Sequence, residues 1–421
     1  MQHPKMRYPY VGIDSHKDTH TAVFLDCFFG KLGEIQFENI PARFDTFLSD
    51  AEKFKADGTE FLFGLEDVSM YGRTLAVFLR EKNQQVKHTN ASLVAQERKR
   101  STVVQKTDSF DAECAAHVLL SKLDELPDAD PQDMYWLLRT IVVRRRFITN
   151  NNIALRNHLH NLLTAHFPGY HKFFTDIACN TSLVLFAKYP SPHTLKDVTV
   201  EELAAFLWMP SNGRCKADKA QFILHTAWEN GFTATGLQEI RDETVRSAIR
   251  QLRFNQEELE RIQVTLAEVL AMFNTTLTSM TCIDVVTAAQ LLSCIGDIRK
   301  FPTAAKLAQY AGIAPVIYAS GKKDKQYANK RGDRELNSIF YAIAVRVSSV
   351  SGVKRIVLNH YFYEYYNRKL SEGKTKKQAL KCVMRRLVNI IWTMLTKNVE
   401  YINPERRPAP EKSLDTGEKQ E

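Results

Sequence analysis

At 421 residues and 44% hydrophobic, the chain is long enough to bury more than one core, and two or three domains are expected. No apolar run approaches the ~18 residues of a membrane span, and the opening MQHPKMRYPY lacks the apolar centre of a signal peptide, so a cytoplasmic protein with no membrane partner is expected. The net charge of +9 is unevenly spread: residues 281–400 carry 21 basic and 8 acidic side chains, a net of +13 that leaves −4 for the rest. Such asymmetry suits a polyanion-binding surface in the C-terminal part, the plain alternative being a solvated basic face. Cys27, Cys114, Cys179, Cys215, Cys282, Cys294 and Cys382 are odd in number and never spaced C-x-x-C, which suggests neither a disulfide framework nor a zinc site.

Residues 8–125 alternate strand and helix signals. YVGID and TAVFLD read as an antiparallel pair, the apolar run FLFGLE (61–66) as another strand, YGRTLAVFLREKN as a helix and QVKHT as a short strand. From MYWLLRT onward the period becomes helical, with Leu137, Ile141, Ile148, Leu155, Leu159 and Leu162 on one face, until Pro168 and Gly169 end the run. Short helices with turns at YPSPHT and MPSNGR follow, then a long helix over 237–273 with the interleaving of a helical hairpin or coiled coil. The expected divisions are 8–125, a helical and coiled-coil region over 130–278, a compact helical domain over 279–400, and a disordered Pro- and charge-rich tail over 403–421.

The first strand stops on Asp14, and FLFGLEDVS ends another on Glu66. KTDSFDAECAAHVLL sets Asp108 and Asp111 three apart at the head of an amphipathic helix, hence on one face. An α/β fold could gather these four carboxylates around one or two Mg²⁺ ions, the donor set that phosphodiester chemistry by metal clamps requires. The local alternative makes Asp108 a helix N-cap, Asp111 a first-turn acid, and Asp14 and Glu66 salt-bridge partners.

GIDSHKDTHTA, LEDVSMYGRTLAVFL and KTDSFDAECAAHVL resemble, in order and spacing, the DEDD domain of transposases of the insertion sequence one-hundred-and-ten family, kin to Piv-type DNA invertases. The similarity continues through ALRNHLHNLL and into the stretch from LLSCIGDIRKF to RELNSIFYAIA, which resembles that family's C-terminal transposase domain. The resemblance implies a ribonuclease-H-like, RuvC-type α/β domain at the N-terminus, a helical middle and a mainly α-helical C-terminal domain. It implies a Mg²⁺-holding catalytic tetrad of Asp14, Glu66, Asp108 and Asp111, and a nucleophilic serine at Ser320 in APVIYASGKK. It further implies a recombinase acting on donor and target DNA, directed by a noncoding bridge RNA and working as a homo-oligomer, a dimer or a tetramer when synapsed.

Arg144, Arg145, Arg146 and Arg156 would follow RNA phosphates, with His158 and His160 as further contacts, while Lys322, Lys323, Lys325, Lys330, Arg331 and Arg334 would offset charge near Ser320. Tyr361, Tyr363, Tyr365 and Tyr366 would stack on bases or, as aromatics at helical spacing more often do, pack in the core. Two departures from the family stand out: Val68, Ser69 and Met70 intervene between Asp67 and Tyr71, and Cys282 and Asp284 replace the two glycines of a helix-hairpin-helix turn. The same carboxylates would also serve a junction nuclease using water or a protein-directed invertase, whereas a non-catalytic descendant that binds nucleic acid would not need them.

Overall fold

The computed structural model describes residues 4–66, 71–100, 107–129, 134–229, 236–320, 323–327, 329, 332–352 and 356–403, with backbone alone for 316–320 and 323–327. The chain divides into two compact units, Met1–Leu137 and Leu138–Glu421. Among the described residues no helix is long and apolar enough to cross a membrane.

The first unit is a mixed five-stranded sheet between helices. Its elements are β1 (Tyr10–Ser15), β2 (Thr19–Leu25), β3 (Lys31–Glu38), α1 (Pro41–Ala51), β4 (Leu62–Leu65), α2 (Arg73–Glu81), β5 (Gln85–His88), α3 (Ala91–Arg100) and α4 (Asp108–Ser121). The strand order is β3-β2-β1-β4-β5, with β1, β2 and β3 antiparallel in turn and β4 and β5 parallel to β1. Alternation divides β1 between two cores. Val11 and Ile13 join Phe24, Phe44, Phe47, Phe63 and Leu75, whereas Tyr10 joins Val23, Leu25, Leu62, Ala116 and Leu119 on the side of α4. A Cβ on Gly12 would lie 2.1 Å from the Ala112 carbonyl, so the glycine is what lets α4 settle onto β1.

Four expectations change here. Residues 31–38, read as no element from sequence, form an edge strand whose Gly33, Ile35 and Phe37 are half-buried between exposed neighbours. Helix α4 is buried on most of its surface rather than amphipathic, because α3 covers the side away from the sheet. Its N-cap is Thr107, whose hydroxyl accepts from the Phe110 N–H at 3.2 Å, so Asp108 stands one position inside the helix. The first part of the long helix turns in Leu138 and Val142, whereas Leu137 is 45% exposed. Both series have helical spacing, and what packs against the helix decides between them.

In the second unit, α5 (Met134–His166), α6 (Asn180–Lys188), α7 (Val200–Trp208), α8 (Ala217–Glu229) and α9 (Gln238–Ala271) share a core that includes Leu159, Phe167, Phe186, Leu203, Ile223 and Ile249. The remainder is α10 (Val285–Ile295), α11 (Ala304–Tyr310), the hairpin β6 (Val316–Ser320) and β7 (Lys323–Tyr327), α12 (Arg334–Val347), the short pair β8 (Val350–Ser351) and β9 (Ile356–Val357), α13 (His360–Ser371) and α14 (Lys376–Lys397). All seven cysteines are free. The tail expected from 403 lies, beyond Asn403, outside the described residues.

Candidate active site

The alternation that buries Tyr10 and lets Gly12 meet α4 also turns Asp14 toward the head of that helix. The register of β1 against β4 pairs Ile13 with Leu65, so Asp14 and Glu66 follow side by side at the carboxyl ends of two parallel strands. In β4 the same alternation runs from Leu62, in the α4-side core, through Gly64, whose added Cβ would meet Leu119 at 3.2 Å, to Glu66. The His88 ring Nε2–H donates to the Glu66 carbonyl at 3.1 Å, fixing that strand end.

Asp14, His16 and Asp108 form the tight centre, with one donor atom from each lying within 4.8 Å of the others. His16 Nε2 hydrogen-bonds Asp14 Oδ2 at 3.1 Å and lies 3.3 Å from Asp108 Oδ1. Asp14 is 14% exposed and Asp108 53%. Burial raises the Asp14 pKa above its ordinary value; His16 opposes this, and the neighbouring charges of Asp111 and Asp108 add to it. Asp111, one turn along α4, is buried, and its Oδ1 lies 2.7 Å from Arg98 Nε of α3. The contact is an ion pair by distance but is too bent for a hydrogen bond. Glu66 and Asp111 fall outside the tightest group. Residues 67–70, the first departure noted above, lie outside the described residues.

Ser320 belongs to the second unit, where it ends β6 opposite Lys323 rather than sitting within a turn. Lys322, Lys330 and Arg331 lie outside the described residues, and Lys323 and Lys325 are described as β7 backbone. Arg334 opens α12 and is exposed. On α5, Arg146 is paired with Glu335 at 2.5 Å, Arg156 lies 3.6 Å from Asp176, and Arg144 stacks over Phe147 at 5.8 Å. Among the described residues, Arg145 has a buried Nε with no hydrogen-bond acceptor. His160 is engaged by the Tyr170 hydroxyl at 2.8 Å, a local contact that accounts for its position. The four tyrosines of α13, Tyr361, Tyr363, Tyr365 and Tyr366, are half-buried, neither core nor open platform: Arg386 covers the Tyr365 ring at 4.0 Å and donates to the Tyr361 hydroxyl.

Two transposase family models match the chain, a DEDD transposase over residues 11–168 and the transposase IS116/IS110/IS902 family over residues 274–362. The chain belongs to the IS110 family of transposases. It is therefore an enzyme that cleaves and recombines DNA. An insertion element IS116 44.8 kDa protein of Streptomyces clavuligerus is 27% identical over 397 residues, covering 92% of this chain and 94% of that relative. The insertion element IS110 43.6 kDa protein of Streptomyces coelicolor is 36% identical over 126 residues, 30% of this chain and 29% of the relative. A pilin gene-inverting protein of Moraxella bovis is 34% identical over 116 residues, 27% of this chain and 33% of its own.

For an IS110-family transposase a divalent cation is the expected resident, and the donor set fits one: clustered acidic oxygens, one of them on a half-buried carboxyl whose anion is disfavoured chiefly by burial. The sequence reading of this transposase missed three contributors. His16 joins the carboxylates directly, and its place two residues past a strand-end acid was the available signal. Asn39 Nδ2 lies within 3.2 Å of the His16 and Lys17 carbonyls and 3.0 Å from that of Tyr71, holding the loop that carries His16. Arg98 was hidden among other basic residues in AQERKR, with no local pattern to single it out.

Proposed function

We infer that this transposase is an RNA-guided, site-specific recombinase that exchanges DNA strands through a covalent link to Ser320, with Asp14, Glu66, Asp108 and Asp111 as a Mg²⁺-holding tetrad. The observation that carries the reading is the meeting of Asp14 and Asp108, from β1 and α4, at the carboxyl end of the sheet, where the strand register sets the Glu66 backbone beside Asp14. The order β3-β2-β1-β4-β5, with its two antiparallel and two parallel pairings, supports a ribonuclease-H-like fold for this unit. Fixed strand ends and a close-packed helix head are what such a site needs, since its ligands must hold position as charge develops.

Magnesium bound among these carboxylates would polarise the scissile phosphate and stabilise the departing oxygen. In the proposed step the Ser320 Oγ–P bond forms as the P–O bond to the departing sugar hydroxyl breaks, and the serine proton ends on that hydroxyl. The number of phosphoester bonds is unchanged, so reversal onto a different hydroxyl joins new ends without ATP. The guide RNA would lie on the basic residues of α5 and the C-terminal domain. A homo-oligomer would bring together sites from more than one copy.

The test is strand exchange in vitro with Mg²⁺, the flanking noncoding RNA, and donor and target duplexes, comparing wild type with Ser320→Ala. Joined product that requires both RNA and Ser320 is expected. Cleavage that survives Ser320→Ala and yields free nicks would replace the reading with a water-using nuclease. The likeness to pilin gene-inverting proteins favours a second reading, inversion directed by protein alone, which exchange without RNA would support.

A further inference from the structure

Beside the hairpin that ends on Ser320 is a cavity of about 290 Å³ lined by Ala311, Gly312, Asn329, Gly332, Arg334, Asn337 and Lys381. Among the described residues its lining contains two cations and no acid. Some basic side chains of this unit are paired with acids, as in Arg146 with Glu335, Arg299 with Asp297 and Arg346 with Asp284. Arg334 and Lys381 have no acidic partner within ion-pair distance among the described residues. The acids next to Arg334 are engaged elsewhere: Asp333 Oδ1 accepts from the Leu336 N–H at 2.7 Å, and Glu335 holds Arg146.

The walls of the cavity are fixed by backbone. Gly312 adopts φ +66, and a Cβ on Gly332 would lie 2.2 Å from the Gly312 nitrogen, so the segments before and after the hairpin touch through two glycines. Three hydrogen bonds tie the same junction: Asp333 N–H to the Tyr310 carbonyl at 2.7 Å, Asn337 Nδ2 to that of Ala311 at 2.8 Å, and Asn329 Nδ2 to that of Gln309 at 3.0 Å. A backbone-braced cup with two cations in its lining suits a compact anion.

We propose that this cup holds one backbone phosphate of the DNA strand on which Ser320 acts, gripped by Arg334 and Lys381. The proposal deepens the recombinase reading and rests on it for the choice of DNA. β6 spans Val316–Ser320, and at about 3.3 Å per residue the serine backbone stands roughly 13 Å from the hairpin base.

The test measures the affinity of the full-length protein for a labelled random-sequence DNA duplex, without metal, across a salt series. Wild type, Arg334→Ala, Lys381→Ala and the double variant are compared, each checked for an unchanged melting curve. Each single change is expected to weaken binding roughly 3- to 10-fold. If both cations share one phosphate, the double variant lowers the slope of log K against log salt by about 0.9, whereas separate phosphates would give about 1.8. Wild-type affinity in the double variant, the larger slope change, or a loss confined to a structured RNA tested in parallel would overturn the proposal. Adduct formation at Ser320 is scored separately: weakened DNA binding in the double variant with no adduct in wild type would contradict the serine step and leave the phosphate contact standing.

Discussion

Asp14 explains why an apolar strand ends on an acid. The side chain that pays for burial there is the one that shares His16 with Asp108, and removing its charge should leave the strand intact while disabling the centre. Asp14→Asn is expected to lower strand cleavage by at least about 100-fold with DNA affinity within a few-fold of wild type, measured by gel assays of cutting and binding. His16→Ala should weaken binding of Mn²⁺ about 10-fold or more by calorimetry, since an imidazole nitrogen suits manganese better than magnesium. An unchanged manganese affinity would make His16 a hydrogen-bond partner alone. The acids were legible from sequence because strand ends and helix heads leave marks on it. Arg98 and Asn39 were not, because an ion pair to Asp111 and a brace on the His16 loop exist only after folding.

The strands and helices were legible where an apolar pattern was strong, as in YVGID and FLFGLE, and hidden where an edge strand such as Lys31–Glu38 keeps half its side chains in water. Gly12 joins β1 to α4, and Gly12→Ala should destabilise the protein by about 3 kcal/mol in chemical denaturation, since the new methyl meets backbone rather than a movable side chain. Cys282 adopts φ +74 before α10, so the left-handed turn persists although the glycine expected there is absent. Cys282→Gly should therefore stabilise by about 1 kcal/mol, and a loss of stability would mean that the half-buried thiol contributes more than the strained backbone costs. On β2, His20 is buried against Phe37 and Phe44, with Asn39 and His16 nearby, and burial lowers its pKa to about 4. Its folded pKa lies below the unfolded value of 6.5, so its stabilising share is complete above that pH and is lost as pH falls toward 4. His20→Phe should flatten the acid side of the stability profile by up to about 3 kcal/mol.

Across the molecule, the two matched segments fall at the ends of the long helical region, and the acids and the serine belong to different units. The excess positive charge lies over residues 281–400, where the sequence alone had located it, and composition suffices for that because charge needs no fold to be counted. Which arginines stay available did need the fold: Arg146 is spent on Glu335, whereas Arg334 is not paired with any described acid. The central claim is that the carboxylate centre and Ser320 act on one phosphodiester. The most direct measurement is mass spectrometry of the covalent protein–DNA adduct trapped from wild type, Ser320→Ala and Asp14→Asn under identical Mg²⁺ and RNA conditions. A nucleotide-bearing peptide containing Ser320 is expected in wild type and no adduct in either variant; an undiminished adduct in Asp14→Asn, or one on another residue, would overturn the shared role of the two.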